Sequence, residues 1–197
     1  TRGMASGANL GVYGVGPFPT SYQAFDSINN HYTSKDIRIT STSYGNGNNA
    51  GYTTLARLMD VQVNSMRELT HVFSAGNSGA LNYGYGAGPG WGNITGGHKQ
   101  AKNVIAVANL DYRDVLSSSS SRGPAYDGRI KPDIAAVGSS VYSTVRNNSY
   151  ANNSGTSMAC PAIAGVAAQL YQAYKEMNNG ANPQAALIKA VLLNTAD

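Results

Sequence analysis

The sequence predicts an α/β fold in which a parallel sheet is wrapped by helices, and three observations predict it. The period of the apolar residues switches repeatedly between two and about 3.6 along the chain. The period-two segments are short, rich in β-branched or aromatic residues, and bounded by Gly, Asn or Ser. The links between segments are short, and strand–helix–strand alternation with short links is how a parallel sheet is built. At 197 residues the chain suits one domain with a sizeable core.

Taken in order, ANLGVYGV (8–15) reads as a first strand. SYQAFDSINNHY (21–32) follows as a helix, with Tyr22, Phe25 and Ile28 recurring every third residue. IRITSTS (37–43) is a second strand, and TTLARLMDVQVNSM (53–66) a second helix with Leu55, Leu58, Met59, Val63 and Met66 on one face. THVFSA (70–75) and NVIAVAN (103–109) read as buried strands. Between them, residues 80–98 form a Gly-rich loop of the length that marks a functional or mobile segment. The turn-rich stretch 116–138 ends in a short apolar segment. PAIAGVAAQLYQAY (161–174) then places Ile163, Val166, Ala167, Leu170, Tyr171 and Tyr174 on one helical face. Asn182 and Pro183 supply an N-cap and first-turn proline for a last helix.

Charged residues make up only 12% of the chain, and the net charge of +4 is spread along it. No run of Lys or Arg would track a phosphate backbone, so nucleic acid is not a predicted partner. No apolar run approaches the length of a membrane span, so no membrane partner is predicted either. The single cysteine, Cys160, forbids an intrachain disulfide and a Cys-rich zinc site, and its apolar surroundings read as a buried small hydrophobe. Asn46, Gly47 and Asn48 lack the carboxylates of a dedicated calcium loop, and the glycines of 84–90 lack dinucleotide-binding spacing; no cofactor or metal site is assigned. Sequons at Asn93, Asn147 and Asn152 are what an Asn- and Ser-rich chain produces by chance. The chain opens without an initiator Met and stops inside an apolar helical run, so a segment of a longer polypeptide is expected.

Ser157 is the first candidate for chemistry. Gly155, Thr156 and Ala159 leave its hydroxyl uncluttered at a predicted helix start, where unpaired N–H groups favour negative charge. Serine is equally an ordinary N-cap, and position alone leaves both readings open. FSAGNSG (73–79) is a strand running into a turn, and Asn77 there suits a donor to a developing oxyanion. Together the two residues form a half-site for acyl transfer. No His follows His98, so a triad in which the His follows the serine is excluded, and the motif ends in Ala159 rather than Gly. A serine placed last in chain order remains.

SGTSMACPAIAGVAA (154–168) resembles the nucleophile segment of the subtilisin-like serine proteases, the subtilases. GMASGANLGVYGV (3–15), STSYG (41–45), FSAGNSG (73–79) and SSRGPAYDGRIKPDIAAVG (120–138) resemble further segments of that family in the expected order. The resemblance implies a three-layer fold, with residues 1–197 as the C-terminal two-thirds of a peptidase domain, an N-terminally truncated portion. It implies that Ser157 is the nucleophile and Asn77 the oxyanion donor. It implies also that Ser43, Tyr44 and Gly45 pair with extended protein or peptide substrate, that Ser74, Ala75 and Gly76 form the other wall of the pocket, and that the protein is secreted or at the cell surface. Structural calcium is common in the family, although no site for it is found here.

The family's Asp-Thr/Ser-Gly turn and His-Gly-Thr-His helix are absent. His31, His71 and His98 lie in no matching context and are expected in solvated or core roles. Lys175 lies about five turns along the same helix, roughly 27 Å from Ser157, and nothing favours Lys131 as a base. Without a base a serine hydroxyl is a poor nucleophile. The expectation is therefore a serine endopeptidase whose isolated segment 1–197 is nearly inactive. The alternative is a non-catalytic relative that binds extended peptides without cutting them. Loss of the central strand that carries the family's Asp predicts self-association or poor order near residues 8–15.

Overall fold

Four parallel strands in the order β1-β2-β3-β4 form the central sheet of the computed structural model: β1 (Ile39–Thr42), β2 (Thr70–Ser74), β3 (Ile105–Leu110) and β4 (Ile134–Val137). Residues 3–12, 21–45, 47–85 and 87–196 are described. Around the sheet run α1 (Ser21–Lys35), α2 (Thr54–Ser65), a 3-10 helix (Gly97–Gln100), α3 (Thr156–Met177) and α4 (Ala185–Asn194). Strand alternation sends Val72, Ile105 and Val107 to one face, where they meet Ala159, Ile163, Ala167 and Tyr171 of α3 and Ile188 and Leu192 of α4. Phe73 points to the other face and packs with Ala56 and Met59 of α2. The result is the expected three-layer α/β arrangement.

Small residues along α3 let it lie close to the sheet; Ala159, Cys160 and Ala167 are fully buried there. Burying one of the larger side chains at this contact, such as Ile163, stabilises the fold by about 1.5–3 kcal/mol. Asp60 on α2 is buried because its carboxylate accepts the backbone N–H groups of Lys102 and Asn103 and the Tyr52 hydroxyl. Gln62 Nε2 of α2 donates to Asn29 Oδ1 of α1 at 2.7 Å.

Several expectations are corrected. Residues 8–12 form no strand, and Leu10 and Val12 are 86% and 89% exposed, while 13–15 lie outside the described residues. The chain just before them is held by α3 instead of a sheet edge: Gln169 Nε2 donates to the Met4 carbonyl at 2.5 Å. The last helix starts at Ala185 with Gln184 as its N-cap, two residues later than expected. Asn182 is drawn away by Glu68, to which its amide donates, and the Ala185 N–H bonds the Arg67 carbonyl. An unexpected antiparallel hairpin, β5 (Val141–Val145) and β6 (Ser149–Asn153), precedes α3. It turns at Asn147 and Asn148, whose φ angles of 63° and 51° are those of a two-residue hairpin loop. Asn93, one of the sequon residues, is wholly buried.

Candidate active site

The ends of β1 and β2 and the start of α3 meet at the carboxyl edge of the sheet, where ligands of open α/β sheets bind. Gly155 caps α3 with φ 148°, and its N–H donates to the Gly138 carbonyl just beyond β4 at 2.9 Å. A Cβ on Gly138 would lie 2.6 Å from both Asn109 Oδ1 and the Gly155 carbonyl, so only glycine permits this approach. Ser157 is therefore the second residue of α3, half-buried, with its own N–H among those that lack an intrahelical acceptor.

Pro161 explains how Ser157 is held. Its ring has no N–H to donate to the carbonyl four residues back, which is that of Ser157. Ser43 Oγ fills the vacancy, donating to the Ser157 carbonyl at 3.0 Å. In return Ser157 Oγ donates to the Ser43 carbonyl at 3.3 Å. The serine is thus pinned to the cleft strand through both its backbone and its hydroxyl.

Asn77 is oriented by Thr156. The Thr156 N–H and hydroxyl both donate to Asn77 Oδ1, at 3.0 and 3.1 Å, and the same hydroxyl accepts the Gly76 N–H at 3.2 Å. With its oxygen occupied, the Asn77 amide must present Nδ2, which makes no hydrogen bond among the described residues. A Cβ on Gly155 would sit 3.1 Å from Nδ2, so the donor lies against the residue two before Ser157. A pre-aimed amide N–H beside a helix N-terminus suits developing negative charge.

Thr95 joins the two predicted walls. A Cβ on Gly45 would come within 2.9 Å of its hydroxyl, and one on Gly76 (φ +113°) within 2.6 Å. Gly45 and Tyr44 are exposed and Gly76 is half-buried, whereas Ser74 and Ala75 are buried behind it. Thr95 also donates its hydroxyl and its N–H to the Ala75 carbonyl, at 3.2 and 3.0 Å.

No described histidine bonds Ser157. His31 Nδ1 contacts the Ser27 carbonyl, within its own helix. His98 stacks on Phe73 at 5.8 Å and meets Tyr44 edge-on, and burial pulls its pKa down. His71 lies between Thr40 Oγ1 (2.7 Å) and Gln62 Oε1 (3.0 Å). Gln62 spends its amide N–H on Asn29, so His71 Nε2 donates and Nδ1 accepts; the ring is neutral, and burial pulls it down to about 3. Lys131 is tied to Asp133 at 2.5 Å. Cys160 is buried as expected, and burial pushes its thiol up. Sequence reasoning missed Thr156, Thr95 and Lys99; only Thr156, inside the Gly-Thr-Ser motif, carried a signal.

The subtilase family model matches residues 1–197. The chain belongs to the subtilase family. Among its relatives, this subtilase is 48% identical over 77 residues to a PII-type proteinase of Lactococcus lactis subsp. cremoris, covering 39% of the chain and 4% of that protein. It is 45% identical over 83 residues to a C5a peptidase of Streptococcus pyogenes, covering 41% of the chain and 7% of that protein. The matched stretches are thus a small fraction of those relatives' length. Among solved structures, the self-cleaved protease domain of PatA superposes with a TM-score of 0.70 at 21% identity, covering 90% of this chain and 60% of that one. The prenylagaramide maturation protease PagA gives a TM-score of 0.70 at 22% identity, covering 90% and 58%. These structural likenesses carry the subtilase fold.

Proposed function

We propose that the protein is a serine endopeptidase, secreted or at the cell surface, that cleaves extended protein or peptide substrates through an acyl-enzyme on Ser157. In this reading Ser157 Oγ attacks the scissile carbonyl, its proton passes to a base, and the leaving amine takes that proton. The oxyanion is received by the Asn77 Nδ2 and Ser157 N–H donors, and the substrate backbone pairs alongside Ser43–Gly45. The observation that carries the reading is the Asn77 amide, whose oxygen is occupied by Thr156 so that its donors are left free beside Ser157.

The only described acceptor of the Ser157 hydroxyl is the Ser43 carbonyl, which is no base. In this reading the base and its orienting carboxylate are supplied from outside residues 1–197, and the isolated segment is expected to be nearly inactive. Removing a triad member from such an enzyme leaves roughly 10³–10⁴-fold acceleration over water. A fluorophosphonate probe should label Ser157 in the full-length protein, and the segment alone should turn over a chromogenic peptide barely above background. In the full-length protein Asn77→Ala should lower kcat by about 10²–10³-fold with little change in KM. An equal rise in KM at constant kcat would remove Asn77 from the role.

The absence of a described histidine at Ser157 also suits a second reading, a non-catalytic relative that binds extended peptides. Peptide binding by the full-length protein with no probe labelling of Ser157 would decide for it.

A further inference from the structure

Lys99 is a buried lysine close to the candidate site. The 3-10 helix carries it inward, and its side chain is among the largest that are fully buried, with the residue 1% exposed. Its ammonium donates to one group, Thr95 Oγ1, at 2.7 Å. Among the described residues it has no carboxylate within ion-pair distance and no second hydrogen-bond acceptor. Two of its three protons are thus without an acceptor among the described residues, an arrangement that is costly for a buried cation.

The ammonium lies directly behind Gly45. A Cβ on Gly45 would lie 3.2 Å from Nζ, so only an exposed glycine separates the charge from the surface of the cleft strand. On the opposite side, Gly76 has equally little between its backbone and the Thr95 hydroxyl. Nζ and Thr95 Oγ1 together form a polar floor between two walls that lack side chains at these positions. Burial pulls the Lys99 ammonium down to about 8, so at pH 7 most of it remains charged.

We propose that Lys99 is a specificity-determining residue that receives the side-chain carboxylate of an Asp or Glu immediately preceding the scissile bond. The inference rests on the peptidase reading above and gives it a substrate class. A carboxylate supplies the acceptors that the buried ammonium lacks, with the Thr95 hydroxyl beside it. A Gln side chain of the same shape offers one neutral oxygen and brings an amide whose donors face the ammonium. A Lys or Arg side chain would meet like charge in a poorly solvated site.

The test compares matched tetrapeptides that differ only in Glu, Gln, Leu or Lys at the residue before the cleaved bond. Hydrolysis by the full-length protein, with the cut located by mass spectrometry, is read alongside equilibrium binding of the same peptides to the full-length Ser157→Ala protein. We expect kcat/KM and affinity for Glu to exceed those for Gln by roughly tenfold or more at pH 7, and Lys99→Met to bring the two to parity. Equal binding of Glu and Gln peptides by the wild-type site overturns the inference, and this comparison does not depend on a variant that folds. A Lys99→Met protein that melts normally and keeps the preference overturns it as well. If the fluorophosphonate labels Ser157 while Glu and Gln are treated alike, the peptidase reading stands and the inference falls. If Ser157 is not labelled and no peptide is cut, yet Glu binds preferentially and Lys99→Met abolishes this, the carboxylate site stands and the peptidase reading falls.

Discussion

Lys99 and Lys131 are two buried lysines of one small domain, and burial pulls both ammonium groups down to about 8. Their surroundings differ. Lys131, beyond the sheet's β3–β4 side, pairs with Asp133 Oδ2 at 2.5 Å. Asp133 also pairs with Lys189 of α4 at 2.8 Å and accepts the Ala106 N–H at 2.7 Å. Lysine and carboxylate there tie strand, loop and helix together, and every strong group has a partner. Lys99, at the carboxyl edge, has a single hydroxyl among the described residues. Burial alone does not mark a functional charge, because structure also buries charges; the missing counter-charge is what separates the two regions. Their contrast also bears on chemistry: the paired lysine holds the fold, and the unpaired one is left with capacity for a ligand.

The largest effect that would sharpen this contrast is at Asp133. Asp133→Ala leaves Lys131 buried without its carboxylate and Lys189 without its partner, and should destabilise the chain by about 3–5 kcal/mol in urea or thermal unfolding. A loss below about 1 kcal/mol would mean that the cluster is no better satisfied than Lys99, and the comparison would collapse.

A middle-sized effect comes from a third solution to a buried base. His71 avoids a counter-charge by staying neutral, one ring nitrogen donating to Gln62 and the other accepting from Thr40. Its folded pKa of about 3 lies below the unfolded value of 6.5. Between these values the unfolded chain takes up a proton that the folded chain refuses, so stability falls as pH drops through that window. The slope from this one group is at most about 1.4 kcal/mol per pH unit. Comparing denaturant midpoints of wild type and His71→Gln from pH 7 to pH 4 isolates it; parallel pH dependences would show that the ring does titrate when folded.

Much of this architecture was legible in the sequence, for reasons that differ between elements. β2 and β3 lie in the middle of the sheet, and their apolar segments Val72–Phe73 and Ile105–Ala108 are what strands buried on both faces carry. The helical stripe Ile163–Ala167–Tyr171 reports packing against one flat face. Residues 8–12 misled because alternation only makes a strand when a neighbouring strand receives it; β1 pairs with β2 alone among the described elements. The β5–β6 hairpin was overlooked although VYSTV and the Asn147–Asn148 turn announced it. The placement of Ser157 at a helix start and of Asn77 just past a strand end was legible because both are local features. Lys99 was not: a lysine in a Gly-rich stretch reads as solvated, and its burial depends on Gly45 and Thr95, distant in sequence and brought over it by the sheet.

The smallest expected effect probes Lys99 itself through stability rather than binding. Lys99→Met keeps the stem and removes the ammonium, so at pH 7 it should leave stability within about 1 kcal/mol of wild type or raise it. The pH dependence carries the sharper signal. The folded pKa of about 8 lies below the unfolded 10.5, so below pH 8 both states are protonated and the cost of burying the cation is fully felt. Between pH 8 and 10.5 the unfolded state binds more protons, and stability rises with pH by at most about 1.4 kcal/mol per unit from this group. Tyr171, pushed up to about 12 by burial, stays protonated when folded and works the other way only above pH 10. Lys131 contributes its own rise in the same window, so the informative quantity is the difference between wild type and Lys99→Met. That difference should be roughly constant below pH 8 and shift in favour of wild type as pH climbs to 10. A difference that stays flat throughout would mean that the folded protein holds the Lys99 proton as firmly as water does. The burial that sets Lys99 beside Lys131 would then carry no cost, and the contrast between them would vanish.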